Sequence, residues 1–109
     1  MNMEVTTSPV DNLIAGTFPQ LTKMVTLKAG KVYKRGEILE LDADSKAIAL
    51  ATATKAKFVL VKDTDATSAD VDALVFTTGQ FLLDECVFNQ SLDKASITET
   101  LHLRSIFLK

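Results

Sequence analysis

The side chains that could act as nucleophiles or bases are few: the sequence has one cysteine, Cys86, and one histidine, His102. A cysteine nucleophile needs a histidine within hydrogen-bonding reach and a third group that orients the base. Nothing in the sequence places the two together, since Cys86 lies in an apolar run and His102 in a predicted helix. The sequence therefore predicts a buried structural cysteine and no catalytic residue.

Four aspartates between positions 63 and 72 suggest a second chemistry, calcium binding. An EF-hand loop requires glycine at its sixth position and glutamate at its twelfth. Counted from Asp63, those positions hold Ser68 and Leu74. The pattern fails, so we expect a solvent-exposed polar loop with no metal and no cofactor.

Lys46 offers a third chemistry, covalent modification. The segment LKAGKVYKRGEILELDADSKAIAL resembles the hairpin of biotinyl and lipoyl carrier domains, in which two glycines allow tight turns and the turn presents the modified lysine. Lys46 would be that lysine. Such carriers contain two similar halves, and the chain after Leu50 shows no second copy. A carrier domain modified at Lys46 is the alternative function.

The composition indicates one soluble globular domain. The chain has 109 residues, of which 47% are hydrophobic and 24% charged, and its formal net charge of -2 gives no general attraction to nucleic acid. A single cysteine forms no internal disulfide, and no run of about 20 apolar residues predicts a membrane span. The first residues lack the pattern of a secretory signal. We expect synthesis in a cytoplasm, with no nucleic-acid, membrane or small-molecule partner.

Five basic residues without an intervening acid follow one another early in the chain: Lys23, Lys28, Lys31, Lys34 and Arg35. They could face a nucleic acid or an acidic protein surface. Lysines also protect exposed strand edges from unwanted pairing. Because the acidic residues cancel this charge overall, we favour a solvated or interface surface.

Residues 1–20 differ in character from the rest. Pro9 and Pro19 are the two prolines of the chain, and each removes a backbone donor and disfavours helix in the residue before it. The remaining residues are rich in turn formers and their apolar side chains show no period. We predict an extended, mobile arm at 1–20 ahead of a β-rich domain at 21–109. An ordinary frayed terminus is the alternative.

The β-rich domain is predicted from the alternation of apolar and polar residues. Strands are expected at 23–27, 37–41, 46–50, 58–61, 74–76, 81–83 and 105–108. Residues 58–61 are apolar on both faces and should form a central, buried strand, 74–76 should form another buried strand, and 42–45 and 78–80 should be turns. Ser96 and Glu99 have the spacing of a capping box at the start of a helix that ends near Arg104.

Three segments together resemble the head decoration proteins of tailed bacteriophages, the lambda D-like family. They are NLIAGTFPQLTKMVTLKAGKVYKRGEIL, FVLVKDTDATSADVDALVFTTGQF and LRSIFLK, and their order extends along almost the whole chain. Ser105 departs from the glycine that many members carry after the helix. The left-handed helix end is therefore expected to be replaced by another ending.

The resemblance implies a mainly β fold of the β-clip or β-tulip type, with one short C-terminal helix. It also implies a homotrimer that binds the major capsid protein on the outer surface of the expanded virion head, with no active site. The N-terminal arm would add a strand to an exposed sheet edge of the shell. The arm residues expected to make this contact are Thr6, Thr7, Val10 and Ile14.

Overall fold

The computed structural model describes residues 19–109 of the protein; the predicted arm contacts Thr6, Thr7, Val10 and Ile14 lie outside the described residues. The strands are β1 (Thr22–Leu27), β2 (Val32–Tyr33), β3 (Ile38–Leu41), β4 (Ala47–Ala49), β5 (Phe58–Leu60), β6 (Thr64–Asp65), β7 (Val71–Phe76), β8 (Gly79–Phe81) and β9 (Ile106–Leu108). Two 3₁₀ turns (Ala53–Lys55 and Leu83–Glu85) and one helix, α1 (Lys94–His102), complete the described residues.

Five strands close into a small barrel in the order β1-β4-β3-β5-β7. Its longest ladder joins β1 and β7, which pair antiparallel from Thr22↔Phe76 to Leu27↔Val71. Its shortest joins β1 and β4, which run parallel and share the single pair Leu27↔Ala47. β1 is therefore joined to β7 by six residue pairs on one side and to β4 by a single residue pair on the other.

The barrel interior is one hydrophobic core. Alternate residues of the strands point inward, because successive side chains of a strand face opposite sides. The buried members of this core are Val25, Leu27, Tyr33, Leu39, Ala47, Phe58, Leu60, Ala66, Ala73 and Val75. Tyr33 keeps its hydroxyl satisfied there by donating to the Lys28 carbonyl at 2.7 Å.

A second core lies on the outside of the barrel, under α1 and the parallel pair β8–β9. Its buried members are Ile38, Leu50, Ala56, Val59, Phe76, Phe81, Cys86, Ile97, Leu101 and Ile106. Ile97 and Leu101, four residues apart on α1, form the helix's buried face. The helix and the terminal strand thus cover one outer side of the barrel.

The mainly β fold with a single short helix near the C-terminus is confirmed. The strand predicted at 58–61 lies between β3 and β7 in the barrel with all its residues buried over Phe58–Leu60, as its two apolar faces indicated. The turn at 42–45 also forms, with the Asp42 carboxylate accepting from the amides of Asp44 and Lys46.

Two loop predictions are wrong. The stretch 63–72, predicted as a polar loop, contains β6 and the first residues of β7. A strand of two residues such as β6 shows no alternation, and it exists because it pairs with β2. Residues 78–80 are not a turn, since Gly79 begins β8. A Cβ at Gly79 would lie 2.6 Å from the Phe81 ring, so this strand requires glycine there.

The two ends of α1 also differ from the sequence prediction. Asp93, rather than Ser96, caps the helix: its carboxylate accepts from the Ala95 amide at 3.2 Å and from the Ser96 hydroxyl at 2.8 Å. At the other end, Ser105 takes the left-handed conformation with a φ of 66°. The expectation of a different helix ending is therefore wrong, because the serine adopts the conformation that favours glycine.

Replacing Ser105 by glycine should stabilise the domain. A left-handed non-glycine residue costs roughly 1–2 kcal/mol, partly offset by the ~0.5–1 kcal/mol of extra unfolded-state entropy that glycine brings. We expect Ser105→Gly to raise the free energy of unfolding by about 0.5–1 kcal/mol in chemical denaturation. The control Ser105→Ala keeps the strain and should give no gain; equal stabilisation by both variants would contradict the argument.

Candidate functional site

The root of the predicted arm is fixed to the surface of the domain. The Thr78 hydroxyl donates to the Pro19 carbonyl at 2.7 Å and accepts from the Leu21 amide at 3.0 Å. The Thr77 amide donates to the Leu21 carbonyl at 2.8 Å, which continues the β1–β7 ladder by one residue. Residues 19–21 therefore lead into β1 along β7, and any preceding segment is tethered at this point.

An apolar row lies uncovered on the outside of the barrel, across three neighbouring strands. Met24 of β1 pairs with Leu74 of β7, and the Val61 amide, just after β5, donates to the Leu74 carbonyl. Met24 is 58% exposed and Leu74 44% exposed, while Val61 is half-buried. Around these three residues, with Lys62, Asp72 and Ala73, is a shallow groove of about 280 Å³. We call Met24, Leu74 and Val61 the apolar row.

The apolar row continues a face that is covered elsewhere. Val59 and Phe76 are paired across β5 and β7 one step along, and both are buried in the second core beneath α1 and β8–β9. The covering elements stop before the next pair, which leaves Leu74 and Met24 in solvent. Leu74 was predicted to be buried, so this is a correction: its strand is buried on one face at this position rather than on both.

Cys86 is held in an environment that suppresses its reactivity. It is 7% exposed and belongs to the second core. Burial, and secondarily the charge of Glu85, raises the pKa of the Cys86 thiol to about 12, so the thiolate is scarce at neutral pH. His102 is exposed on α1 and its ring contacts Phe107 edge-on, with centroids 4.9 Å apart. The prediction of a buried cysteine is confirmed.

The aspartates of the 63–72 stretch bind groups of the protein itself. Asp63 accepts from the Arg35 amide at 2.7 Å, and Asp65 accepts from the amide and hydroxyl of Thr67. Asp70 accepts from the Ala29 amide at 2.8 Å. Among residues 19–109, no group of three or more acidic, histidine or cysteine side chains is arranged to hold a metal ion.

Lys46 lies directly after the turn between β3 and β4, where Ser45 has a φ of 63°. Its ammonium group is 2.7 Å from Asp70 Oδ2, and this hydrogen-bonded ion pair raises the pKa of Lys46. The same contact lowers the pKa of Asp70. A lysine that must accept a biotinyl or lipoyl group acts as a neutral amine nucleophile, which this pairing opposes.

Several members of the early basic run are occupied within the domain. The Lys28 Nζ lies 3.6 Å from Asp42 Oδ2, and Lys31 forms an ion pair with the buried carboxylate of Glu37. The Arg35 guanidinium donates to the Val61 carbonyl. This placement favours structural contacts within the domain, two ion pairs and one hydrogen bond to a carbonyl, over a phosphate-binding surface at these three positions.

Comparison with protein-family models gives no matching family, and a search of curated proteins gives no similar sequence. Along the part of the chain that the structure describes, no helix has the length and apolar character needed to cross a lipid bilayer.

The thiol of Cys86 should resist modification in the native protein. Because burial raises its pKa to about 12, we expect negligible reaction with an aromatic disulfide reagent at pH 8 until denaturant is added. The measurement is the absorbance of the released thiolate against time. A Leu103→Cys/Cys86→Ala variant, whose thiol sits at an 82% exposed position, is the control and should react at once.

The Lys46–Asp70 pair should widen the pH range of stability. The lowered pKa of Asp70 contributes stability above its ordinary value of 3.8, which is lost as the pH falls through the folded-state pKa. The raised pKa of Lys46 contributes stability below 10.5, which is lost as the pH rises through its folded-state pKa.

Asp70→Asn should therefore flatten the stability profile on both the acid and the alkaline side, as measured by denaturation at a series of pH values. Asp84→Asn makes the same charge change at an exposed site in a different part of the fold and is the control. An unchanged profile in Asp70→Asn would show that the pair contributes nothing.

Proposed function

We propose that this protein is a capsid decoration protein of a tailed bacteriophage. In this proposal it binds as a homotrimer to the outside of the expanded head, at three-fold and quasi-three-fold sites. There it contacts the major capsid protein and stabilises the shell against the pressure of packaged DNA. The observation that carries the proposal is the arm root, residues 19–21, which Thr78 fixes just before the start of β1, close along that strand to the uncovered apolar row.

The arm supplies affinity through backbone pairing in this proposal. An extended segment that adds a strand to a sheet edge of the shell gains main-chain hydrogen bonds with little demand on its sequence. The contact residues remain Thr6, Thr7, Val10 and Ile14. Because Pro19 and Leu21 are bonded to Thr78, the arm starts from a fixed point, which reduces the volume it must search.

Trimeric binding compensates for the entropy cost of ordering the arm. Each arm residue that becomes ordered costs ~1–2 kcal/mol of backbone entropy, so one arm binds weakly. When three arms belong to one trimer, the second and third contacts are intramolecular and raise the apparent affinity by ~10²–10⁴. A protein that works by occupying a site needs no reactive group, and the buried Cys86 and the paired Lys46 are compatible with this role.

The carrier alternative receives no comparable support. The Lys46 amine is engaged by Asp70, and the described strands form one closed barrel with two small side sheets rather than two similar halves. Intact mass after co-expression with a biotin or lipoate ligase separates the two functions. A mass increase at Lys46 would support the carrier.

Deletion of residues 1–18 should abolish decoration without unfolding the domain. This truncation retains Pro19 to Leu21 and their bonds to Thr78, so the barrel and both cores keep their contacts. We expect full-length protein, mixed with expanded heads that lack it, to appear as extra density at three-fold positions in electron micrographs. The truncated protein should leave the heads bare.

The control for this deletion is the thermal unfolding curve and the solution mass of the truncated protein, which should match those of the full-length chain apart from the missing residues. Decoration by the folded truncation would remove the arm from the mechanism. Failure of the full-length protein to bind such heads would overturn the proposed function itself.

A further inference from the structure

β1 has one edge that the rest of the described chain leaves almost unpaired. Since the Thr77 amide bonds to Leu21, and antiparallel partners alternate along the ladder, the odd-numbered residues of β1 direct their backbone groups at β7. The even-numbered residues direct theirs to the opposite side. On that side, within the described residues, β1 pairs with β4 at Leu27↔Ala47 alone, and the Lys28 amide donates to the Ala47 carbonyl at 3.0 Å.

Within residues 19–109, the backbone groups of Thr22 and Met24 and the amide of Thr26 therefore pair with no other strand on this edge, whereas the Thr26 carbonyl lies at the contact with Ala47. Their strand is six residues long, or about 20 Å, which is a normal length for a pairing edge. Exposed edges of this kind accept an additional strand from another polypeptide.

The apolar row ends at this same edge. It runs from Val61 through Leu74 to Met24, and Met24 is the last side chain before the open side of β1. A strand added there would place a side chain beside Met24 and extend the row by one position. The groove of about 280 Å³ around these residues has room for a large apolar side chain of the incoming strand.

Two positive charges lie at the mouth of the barrel, near the start of β1. The ammonium groups of Lys23 and Lys57 are each 5.8 Å from the centroid of the Phe58 ring. Within residues 19–109 neither lysine has an acidic ion-pair partner. An incoming segment with a carboxylate at this end would find complementary charge.

We infer that the open edge of β1 pairs with an extended segment of the shell protein, which carries an apolar side chain opposite Met24 and an acidic side chain near Lys23 and Lys57. This inference rests on the proposed function and names the surface that it uses. Residues 19–21 continue β1 along β7, so a shell strand paired with the arm can continue onto this edge. Two copies of this chain are a poorer occupant, because a self-standing interface buries ~1,200–2,000 Å² and one short edge offers less.

The test compares binding of two charge-introducing variants to expanded heads that lack the protein. Met24→Lys places a charge at the open edge without disturbing a core, since Met24 is exposed, and should weaken binding by about tenfold or more. The matched control is Leu103→Lys, which alters an even more exposed side chain after α1 and should bind like the wild type.

Hydrogen exchange distinguishes backbone pairing from simple contact. In the free protein the amides of Met24 and Thr26 should exchange quickly, while that of Val25, which faces β7, is protected. On the head, the Met24 and Thr26 amides should become protected as well. To measure this, the head-bound protein is exposed to deuterated water, the exchange is quenched, and the protein is released from the heads. The deuterium content of each amide is then determined at residue level.

Each outcome decides the inference. If the wild type decorates heads and Met24→Lys does so equally well, the edge is not the contact, although the proposed function survives. If Met24→Lys instead lowers the solution mass of the oligomer, the edge joins copies of this chain and the inference is wrong. If the wild type does not decorate heads, the proposed function and the inference fall together.

Discussion

The burial of β5 on both faces is the constraint on which the rest of the structure depends. Phe58 and Leu60 point into the barrel, while Val59 points outward into the second core. One three-residue strand therefore belongs to both hydrophobic cores, and its neighbours β3 and β7 must sit on either side of it. The position of β7 fixes β1 through their six-residue ladder, and β1 in turn carries the arm root and the apolar row.

Much of this arrangement is predictable from the sequence because local patterns determine it. The double-faced apolar run at β5, the alternation in β1 and the Asp42 turn each depend on neighbouring residues, and all three form as expected. β6 was not predicted, and β8 was predicted two residues too late, at 81–83 rather than Gly79–Phe81, because both are short strands stabilised by distant partners, β2 and β9. The exposure of Leu74 was not predicted, for a related reason. Whether the outer face of β7 is covered at this position depends on where α1 and β8–β9 end.

The candidate site also has features that local sequence patterns predict and features that depend on distant residues. The opposite parity of Met24 and Val25 in β1 could have indicated that Met24 faces solvent, but its pairing with Leu74 depends on a register between residues fifty positions apart. By contrast, lysine side chains that could react or bind a ligand form ion pairs within the domain, and no local sequence pattern predicts these pairs. Lys46 meets Asp70 across two loops, and Lys31 meets the buried Glu37. The features that remain available to a partner are the groove around the apolar row, the open edge of β1 and the charges of Lys23 and Lys57.

The distant pairing of β1 has a consequence for how the chain folds. Its partners on either side, Ala47 and β7, come 20 and more residues later, so β1 stays unpaired until much of the chain has collapsed. Topologies with such non-local contacts fold slowly, in milliseconds to seconds. During this interval an apolar strand is exposed to other nascent chains. A charge within a strand, such as Lys23 in β1, opposes the pairing of that strand with other chains.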